Sequence, residues 1–286
     1  METESLFLSV GEKYNQLTKS SKKVADYILA HKTEAQFMSI TTLAEECGVA
    51  EASITRFCRS LGFSGYSEFK LAVAKSSVSG AGGAQADQEQ GPYQGDRFFD
   101  LCNELYENNV NSIRMTQAQL REDDIHQTAQ YIAKARRVYC FGQGGSLILA
   151  MEAWGRFVTV APHFVFIEDS HMQAMAVSLA EPDDLILFVS YSGATRDMLE
   201  LLRPAKKRGV KIALITHYTK SPGASLADIL LICGSDETPL QGGSVAVKMA
   251  VLYIIDVLFH EYCRLYPKET YANNIATAEA VAAKLL

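Results

Sequence analysis

The sequence predicts an all-α domain containing a helix-turn-helix, followed by a doubly wound α/β domain with a five-stranded parallel sheet. Two observations lead to this fold class. The pattern before residue 76 is helical throughout, and after a polar interval five β-type runs alternate with helical segments. Strands separated by helices form right-handed βαβ units with helices on both faces of the sheet. The chain has 286 residues and is 48% hydrophobic, which is enough for two cores.

The domain boundaries are predicted from a break in composition. Residues 77–95 are rich in Gly, Ser, Gln and Ala and contain almost no large apolar side chains. Burial in such a stretch cannot repay the entropy lost on ordering. We therefore expect an N-terminal domain over 1–76, a flexible linker over 77–95 and a C-terminal domain over 96–286.

Charge and cysteine content limit the class of protein. Of the net charge of −6, none arises in residues 1–75, which hold nine basic and nine acidic side chains. The overall acidity argues against general coating of nucleic acid, yet it leaves room for a local basic face. The six cysteines show no metal-ligand spacing, and no apolar stretch is long enough to span a bilayer. The sequence predicts a cytoplasmic protein with reduced thiols, no cofactor and no membrane segment.

The helix-turn-helix is predicted over residues 39–61. Ser39 and the hydroxyls that follow it can cap a short helix, and Gly48 suits the left-handed residue of a tight turn. The second helix, from about 51 to 61, places Arg56 and Arg59 opposite an apolar face. That inward face consists of Ile54, Phe57, Cys58 and Leu61.

Exposed arginines on such a helix are typical of a DNA reader. Arginine binds guanine or phosphate with two hydrogen bonds, and small neighbouring residues let the helix enter the major groove. Arg56 and Arg59 are therefore the candidate DNA contacts, with Thr55 and Lys70 beside them. The alternative is a small helical protein-interaction domain whose charges are only solvated.

Five β-type runs build the predicted sheet, and two of them end in turns that suit a phosphate. The runs are 138–141, 164–167, 185–189, 211–215 and 229–233. The first continues into a glycine-rich turn that contains Gly144 and Ser146. The third continues into Ser190-Tyr191-Ser192-Gly193-Ala194-Thr195. Each turn opens a helix, whose N-terminus favours an anion.

The two turns together predict a site for a phosphorylated small molecule. Gly144 allows close backbone approach, while Ser146, Ser190, Ser192 and Thr195 supply hydroxyls. His171, in a loop after the second strand, is a candidate base or sugar contact. Each feature has an alternative interpretation. The first turn could bind a dinucleotide, although Leu147 stands where the third glycine of that motif belongs. The hydroxyls could only cap a helix, and His171 could be a solvated loop histidine.

At these residues the chain resembles a known family. Residues 43–49 and 56–70 resemble the DNA-binding domain of RpiR/MurR-type bacterial transcription regulators, and the two turns resemble the sugar isomerase (SIS) domain that these regulators carry. The resemblance implies a regulator of carbohydrate-metabolism genes, with operator DNA and a phosphorylated sugar as partners. It also implies a homodimer or homotetramer, assembled through the SIS domain, that reads a palindromic site.

Four positions depart from the family pattern. Ala50 replaces the usual Ser before the recognition helix, and Ala194 replaces the usual Glu of the second turn. Val247 and Val251 stand where a hydroxyl and an amide are usual. The departures leave the predicted phosphate site intact but remove expected sugar contacts. The alternative function from another class is a sugar-phosphate isomerase or lyase of the SIS class with an N-terminal helical assembly domain; no base with diagnostic spacing supports it.

Overall fold

The computed structural model describes residues 5–32, 34–80, 97–235 and 243–284. The chain divides into two compact units, and the main division falls between Glu107 and Asn108. The predicted linker, 77–95, lies outside the described residues except for 77–80, which belong to a helix. The linker and the domain boundaries at its ends stay predictions.

The first unit is helical in its described part, as the sequence predicts. Five α-helices precede residue 81: α1 (Ser5–Lys13), α2 (Lys19–Ala30), α3 (Ile40–Glu46), α4 (Glu51–Ser60) and α5 (Tyr66–Gly80). The predicted inward face of α4 is buried in one apolar cluster with residues of α1, α2, α3 and α5. Phe57 and Phe69 meet edge to face, with ring centroids 5.6 Å apart, and so join α4 to α5. The helical period alone therefore identified the core side of α4.

The remaining elements follow in chain order. They are α6 (Phe98–Gln119), α7 (Glu122–Lys134), β1 (Val138–Gly142), α8 (Gly145–Phe157), β2 (Phe164–Phe166), α9 (Ser170–Ser178), β3 (Leu185–Val189), α10 (Arg196–Lys207), β4 (Lys211–Thr216), β5 (Ile229–Ile232), α11 (Val245–Leu265) and α12 (Pro267–Ala282). Every neighbouring strand pair is parallel, in the order β2-β1-β3-β4-β5. The predicted five-stranded parallel sheet is confirmed.

Alternate residues of the central strands feed two separate cores. On one face, side chains such as Cys140 and Leu187 pack with α7, α8 and α11. On the other face, Phe141 and Phe188 pack with α9 and α10. Both faces of the sheet are covered, which explains why its central strands read as continuous apolar runs. The helix after β1 and the helix after β3 therefore lie on opposite faces.

The described residues include all the cysteines of the chain, and they show the length and composition of its helices. All six cysteines lie there and are free; four are buried, Cys263 is half-buried and Cys102 is exposed. Burial raises the pKa of the Cys58 thiol to about 12, so it stays protonated at neutral pH. Among the described helices, none has the length and apolar character needed to cross a bilayer.

Candidate functional site

The turn between α3 and α4 forms as the sequence predicts. Ser39 is the N-cap of α3, and its hydroxyl accepts a hydrogen bond of 3.0 Å from the Thr42 N–H. Gly48 has φ +58°, a conformation that glycine adopts without cost. Ala50 is the N-cap of α4 and offers no side-chain acceptor, so the first turn of α4 lacks this cap.

The outer face of α4 carries the two predicted arginines. Arg56 and Arg59 are both exposed. The Arg56 guanidinium donates to the Ser53 hydroxyl over 3.0 Å, and Arg59 Nε donates weakly to the Ser64 carbonyl over 3.4 Å. Thr55 is half-buried and donates its hydroxyl to the Glu51 carbonyl. The arginines thus stand on one helix face with exposed guanidinium groups.

Lys70 differs from the arginines in its surroundings. It is half-buried on α5, and desolvation lowers the pKa of its ammonium to about 8. A lysine with that pKa remains mostly protonated at pH 7. Its charge is therefore available at neutral pH but is lost at a lower pH than that of an ordinary lysine.

The second candidate site lies where the strand order reverses. β1 pairs with β2 on one side and β3 on the other, and Gly142 lies opposite Val189 at the ends of β1 and β3. The following helices cover opposite faces, so the two loops leave this point in different directions, and we call the space between them the β1/β3 crevice. In open α/β sheets this switch point, outside the carboxyl ends of the strands, is where ligands bind. The structure brings the two predicted turns together there.

The β1–α8 turn contains two glycines with different roles. A Cβ on Gly142 would lie 2.5 Å from the Ser146 carbonyl oxygen, so this glycine permits close packing of α8 on β1. Gly144 has φ +55° and ψ −127°, and a Cβ there would meet no atom within 4 Å. Gly142 therefore serves the fold, while the backbone of Gly144 borders open space.

The β3–α10 turn presents hydroxyl groups. Ser190 is buried at the end of β3, Ser192 is half-buried, and Thr195 is exposed at the N-cap of α10. Ser192 Oγ accepts from the Ala194 N–H over 3.3 Å. Within the described chain, the hydroxyls of Ser190, Thr195 and Ser146 make no hydrogen bond to protein. The interpretation that they only cap the helix is therefore not supported at Thr195, whose side chain caps nothing.

Tight packing fixes the shape of this turn. Gly193 has φ +58°, and a Cβ there would overlap the Ser221 hydroxyl and lie 3.1 Å from Thr216 Oγ1. The Gly193 carbonyl accepts from the Gly223 N–H over 2.7 Å. The β3–α10 turn is thus held against the segment that follows β4, which pre-organises its hydroxyls and N–H groups.

Sequence reasoning missed polar and aromatic residues around the same crevice. Tyr191 stacks on His217 with ring centroids 5.0 Å apart, and His217 Nδ1 donates to the Cys233 carbonyl over 2.9 Å. The side-chain amide of Gln143 donates to the Gln173 side chain over 3.0 Å, which ties the β1–α8 turn to α9. The position of His217 at the carboxyl end of β4 was the available signal, because those ends gather at one edge of the sheet.

His171 lies in the first turn of α9, and the prediction that it sits in a loop was wrong. The helix begins earlier because Asp169 caps it, accepting from the Met172 N–H over 2.9 Å. The His171 side chain is 89% exposed, with its Nδ1 3.9 Å from Asp169. Among the described residues, the partner of this imidazole is thus the exposed Asp169 carboxylate rather than a buried group that would hold it as a base.

The other three departures from the family pattern lie in α11 and in the β3–α10 turn. Val247 and Val251 are buried on the inner side of α11, and Ala194 is exposed in the β3–α10 turn. Apolar side chains at the two buried positions fill the core and offer a ligand no hydrogen bond.

Known protein families match both the N-terminal and the C-terminal part of the chain. The family model described as "Helix-turn-helix domain, rpiR family" matches residues 5–80, and the model described as "SIS domain" matches residues 131–261. An HTH-type transcriptional regulator of Caldanaerobacter subterraneus is 30% identical over 250 residues, covering 87% of each chain. The transcriptional regulator RpiR of Escherichia coli K12 is 27% identical over 271 residues, covering 94% of this chain and 90% of RpiR.

A solved structure resembles the chain over nearly its whole length. The Vibrio vulnificus NanR protein complexed with ManNAc-6P matches with a TM-score of 0.87 and 28% sequence identity, covering 98% of this chain and 100% of NanR. These similarities confirm the family resemblance that the two sets of motifs predicted. The chain belongs to the RpiR family of helix-turn-helix transcriptional regulators and carries a SIS domain.

Proposed function

We propose that this regulator controls carbohydrate-metabolism genes and that a phosphorylated sugar bound in the β1/β3 crevice modulates its binding to operator DNA. The observation that carries the proposal is the group of three hydroxyls at the switch point, on Ser146, Ser190 and Thr195, that make no hydrogen bond to the residues the structure describes. Phosphate oxygens accept such hydroxyl and N–H donors at a helix N-terminus. The ManNAc-6P complex of the similar NanR protein supports a sugar phosphate as the ligand.

In the proposed site both turns donate hydrogen bonds to the phosphate. Ser190, Ser192 and Thr195 donate to the phosphate together with the first N–H groups of α10, and Ser146 donates from the facing turn. Gly144 lets the ligand approach the backbone. His171, exposed on α9, contacts the sugar as a polar group. Because Gly193 locks the β3–α10 turn, the donors need little reorganisation on binding.

On the DNA side, Arg56 and Arg59 contact the operator from the exposed face of α4. Thr55 and Lys70 are the flanking candidates, and the half-buried Lys70 contributes a charge only below about pH 8. A palindromic operator requires a two-fold assembly, so we propose a homodimer or a homotetramer. A protein with this partner acts in the cytoplasm, where bacterial DNA lies.

Regulation without catalysis fits the crevice better than an isomerase or lyase activity. The relatives are named as transcriptional regulators. Aldose–ketose isomerisation needs a base held beside the sugar. His171, the candidate, is 89% exposed, and its partner in the described part of the chain is the exposed Asp169. We therefore propose a binding protein that is not an enzyme.

Fluorescence anisotropy on the DNA upstream of the protein's own gene tests the proposal. The wild type should bind this fragment more tightly than unrelated DNA, and a panel of sugar phosphates, including ManNAc-6P, should contain at least one that changes its affinity. The double variant Arg56→Ala, Arg59→Ala should lose binding to the fragment. The control Arg121→Ala removes an exposed arginine in the second unit and should bind normally. Equal binding of all DNA by all proteins would contradict the proposal.

A further inference from the structure

The N-terminal half of α6 exposes a large apolar surface. Phe98, Phe99 and Tyr106 are 71%, 76% and 63% exposed, and Leu105 is 39% exposed. Cys102, between them, is also exposed. Isolated exposed apolar residues are common, but four large ones within nine residues of one helix are characteristic of an interaction surface.

These side chains share one face of the helix. At 100° per residue, residues 98, 99, 102, 105 and 106 fall within an arc of about 120°. The acidic residues of this half, such as Asp100 and Glu104, point away from that arc. We call this face the α6 apolar face: Phe98, Phe99, Cys102, Leu105 and Tyr106.

The α6 apolar face is self-complementary about Cys102. If a two-fold axis crosses the helix there, two copies of α6 run antiparallel and residues equally distant from position 102 meet. Phe98 then faces Tyr106 of the second copy, and Phe99 faces Leu105. Each contact pairs an aromatic ring with another large apolar side chain, and no charged residue enters the seam.

We propose that the α6 apolar face is a dimerisation surface whose occupant is the same face of a second copy of this chain. Aromatic side chains bury about 150–250 Å² each, so at the observed exposures each copy contributes roughly 500 Å². Two copies reach about 1,000 Å² in total, the lower limit for a specific interface. The inference rests on the dimer required by the proposed function and names a surface that brings its subunits together.

Native Cys102 provides the first test. It is the one exposed cysteine of the six, all of which are described, so a short bis-maleimide should couple two subunits of the intact wild-type protein through it. Cys102→Ala should remove the covalent dimer. In that background, a mixture of Phe99→Cys and Leu105→Cys proteins should couple more efficiently than either protein alone, because the antiparallel pairing places these positions opposite each other.

The second test measures assembly by sedimentation velocity. The double variant Phe98→Ser, Phe99→Ser should weaken the dimer at least 100-fold, since four phenyl rings leave each interface. Tyr271→Ser on α12 is the matched control, because Tyr271 is an aromatic side chain of equal exposure, 71%, and its loss should change nothing. Circular dichroism should show both variants folded.

The outcomes separate this surface from the proposed function. A dimer that survives the phenylalanine changes, with no coupling through Cys102, overturns the α6 apolar face while leaving a dimeric regulator in place. A wild type that is monomeric when bound to neither DNA nor ligand overturns both the surface and the proposed dimer. Loss of the dimer together with efficient Cys102 coupling supports the proposal.

Discussion

Replacing Gly193 by alanine should damage the candidate phosphate site through its shape. Gly193 has φ +58°, where an L-residue costs about 1–2 kcal/mol relative to its preferred conformations. The new methyl group would also overlap the hydroxyl of Ser221, a residue that is 2% exposed and cannot move into solvent. Overpacking of this kind costs about 1–3 kcal/mol. We expect the free energy of unfolding to fall by about 2–5 kcal/mol.

Urea denaturation followed by tryptophan fluorescence measures the loss of stability in the second unit, which contains Gly193. Trp154 is the only tryptophan, and it lies in α8 of the second unit. Gly62→Ala is the matched control, because Gly62 has φ +101° in the first unit with no atom within 4 Å of a new Cβ. The control should leave the Trp154 transition unchanged.

A double-mutant cycle separates the strain from the overlap. Ser221→Ala removes the overlapped hydroxyl and the 3.2 Å hydrogen bond that it accepts from the Ala224 N–H. In the Ser221→Ala background, Gly193→Ala should cost only the backbone term and a residual tight contact, so the two changes should couple by about 1 kcal/mol or more. Additive effects, or a Gly193→Ala protein as stable as the wild type, would refute the packing argument.

Three further predictions concern the first unit. Arg56→Ala should weaken operator binding by about 1–3 kcal/mol in anisotropy titrations while leaving the thermal midpoint within error, and the reverse pattern would show that Arg56 supports the fold instead. Ala50→Ser should raise the free energy of unfolding by about 1 kcal/mol in urea denaturation, because residue 50 has the extended backbone of an N-cap (φ −77°, ψ 150°) but no capping side chain. An unchanged free energy would show that the added hydroxyl does not cap α4. The free energy of unfolding of the first unit should rise between about pH 8 and 10.5, because in that range Lys70 is protonated in the unfolded chain but not in the folded one. The variant Lys70→Met should flatten this rise. A pH slope that the substitution leaves unchanged would contradict the lowered pKa of Lys70.

Patterns within one segment of chain predicted much of this fold. The apolar period of α4 identified its buried side because a helix face depends only on spacing along the sequence. The five continuous apolar runs identified the strands because both faces of this sheet are covered. The glycine and hydroxyl turns marked the switch point because strands of a parallel sheet end at one edge.

Features that depend on distant segments could not be predicted in this way. The Tyr191–His217 stack joins two loops, and the overlap at Gly193 arises from Ser221, 28 positions away in the chain. The position of His171 differs, because it depends on a local feature: Asp169, two residues earlier, caps α9, and the predicted loop does not include this cap. The burial of Lys70 depends on how α5 packs, which its own sequence does not reveal.

The central claim is that the β1/β3 crevice senses a sugar phosphate for the DNA-binding unit. The most direct measurement is operator affinity with and without ManNAc-6P and the other panel members, for the wild type and for the double variant Ser190→Ala, Ser192→Ala. A hydrogen bond to a charged group contributes about 1.5–3 kcal/mol, so the variant should need roughly 10²-fold or more effector for the same change, with unaltered operator affinity in its absence. Ser225→Ala, whose exposed hydroxyl bonds only the Pro222 carbonyl, should respond like the wild type. A wild type indifferent to every sugar phosphate, or a double variant as responsive as the wild type, would contradict the account.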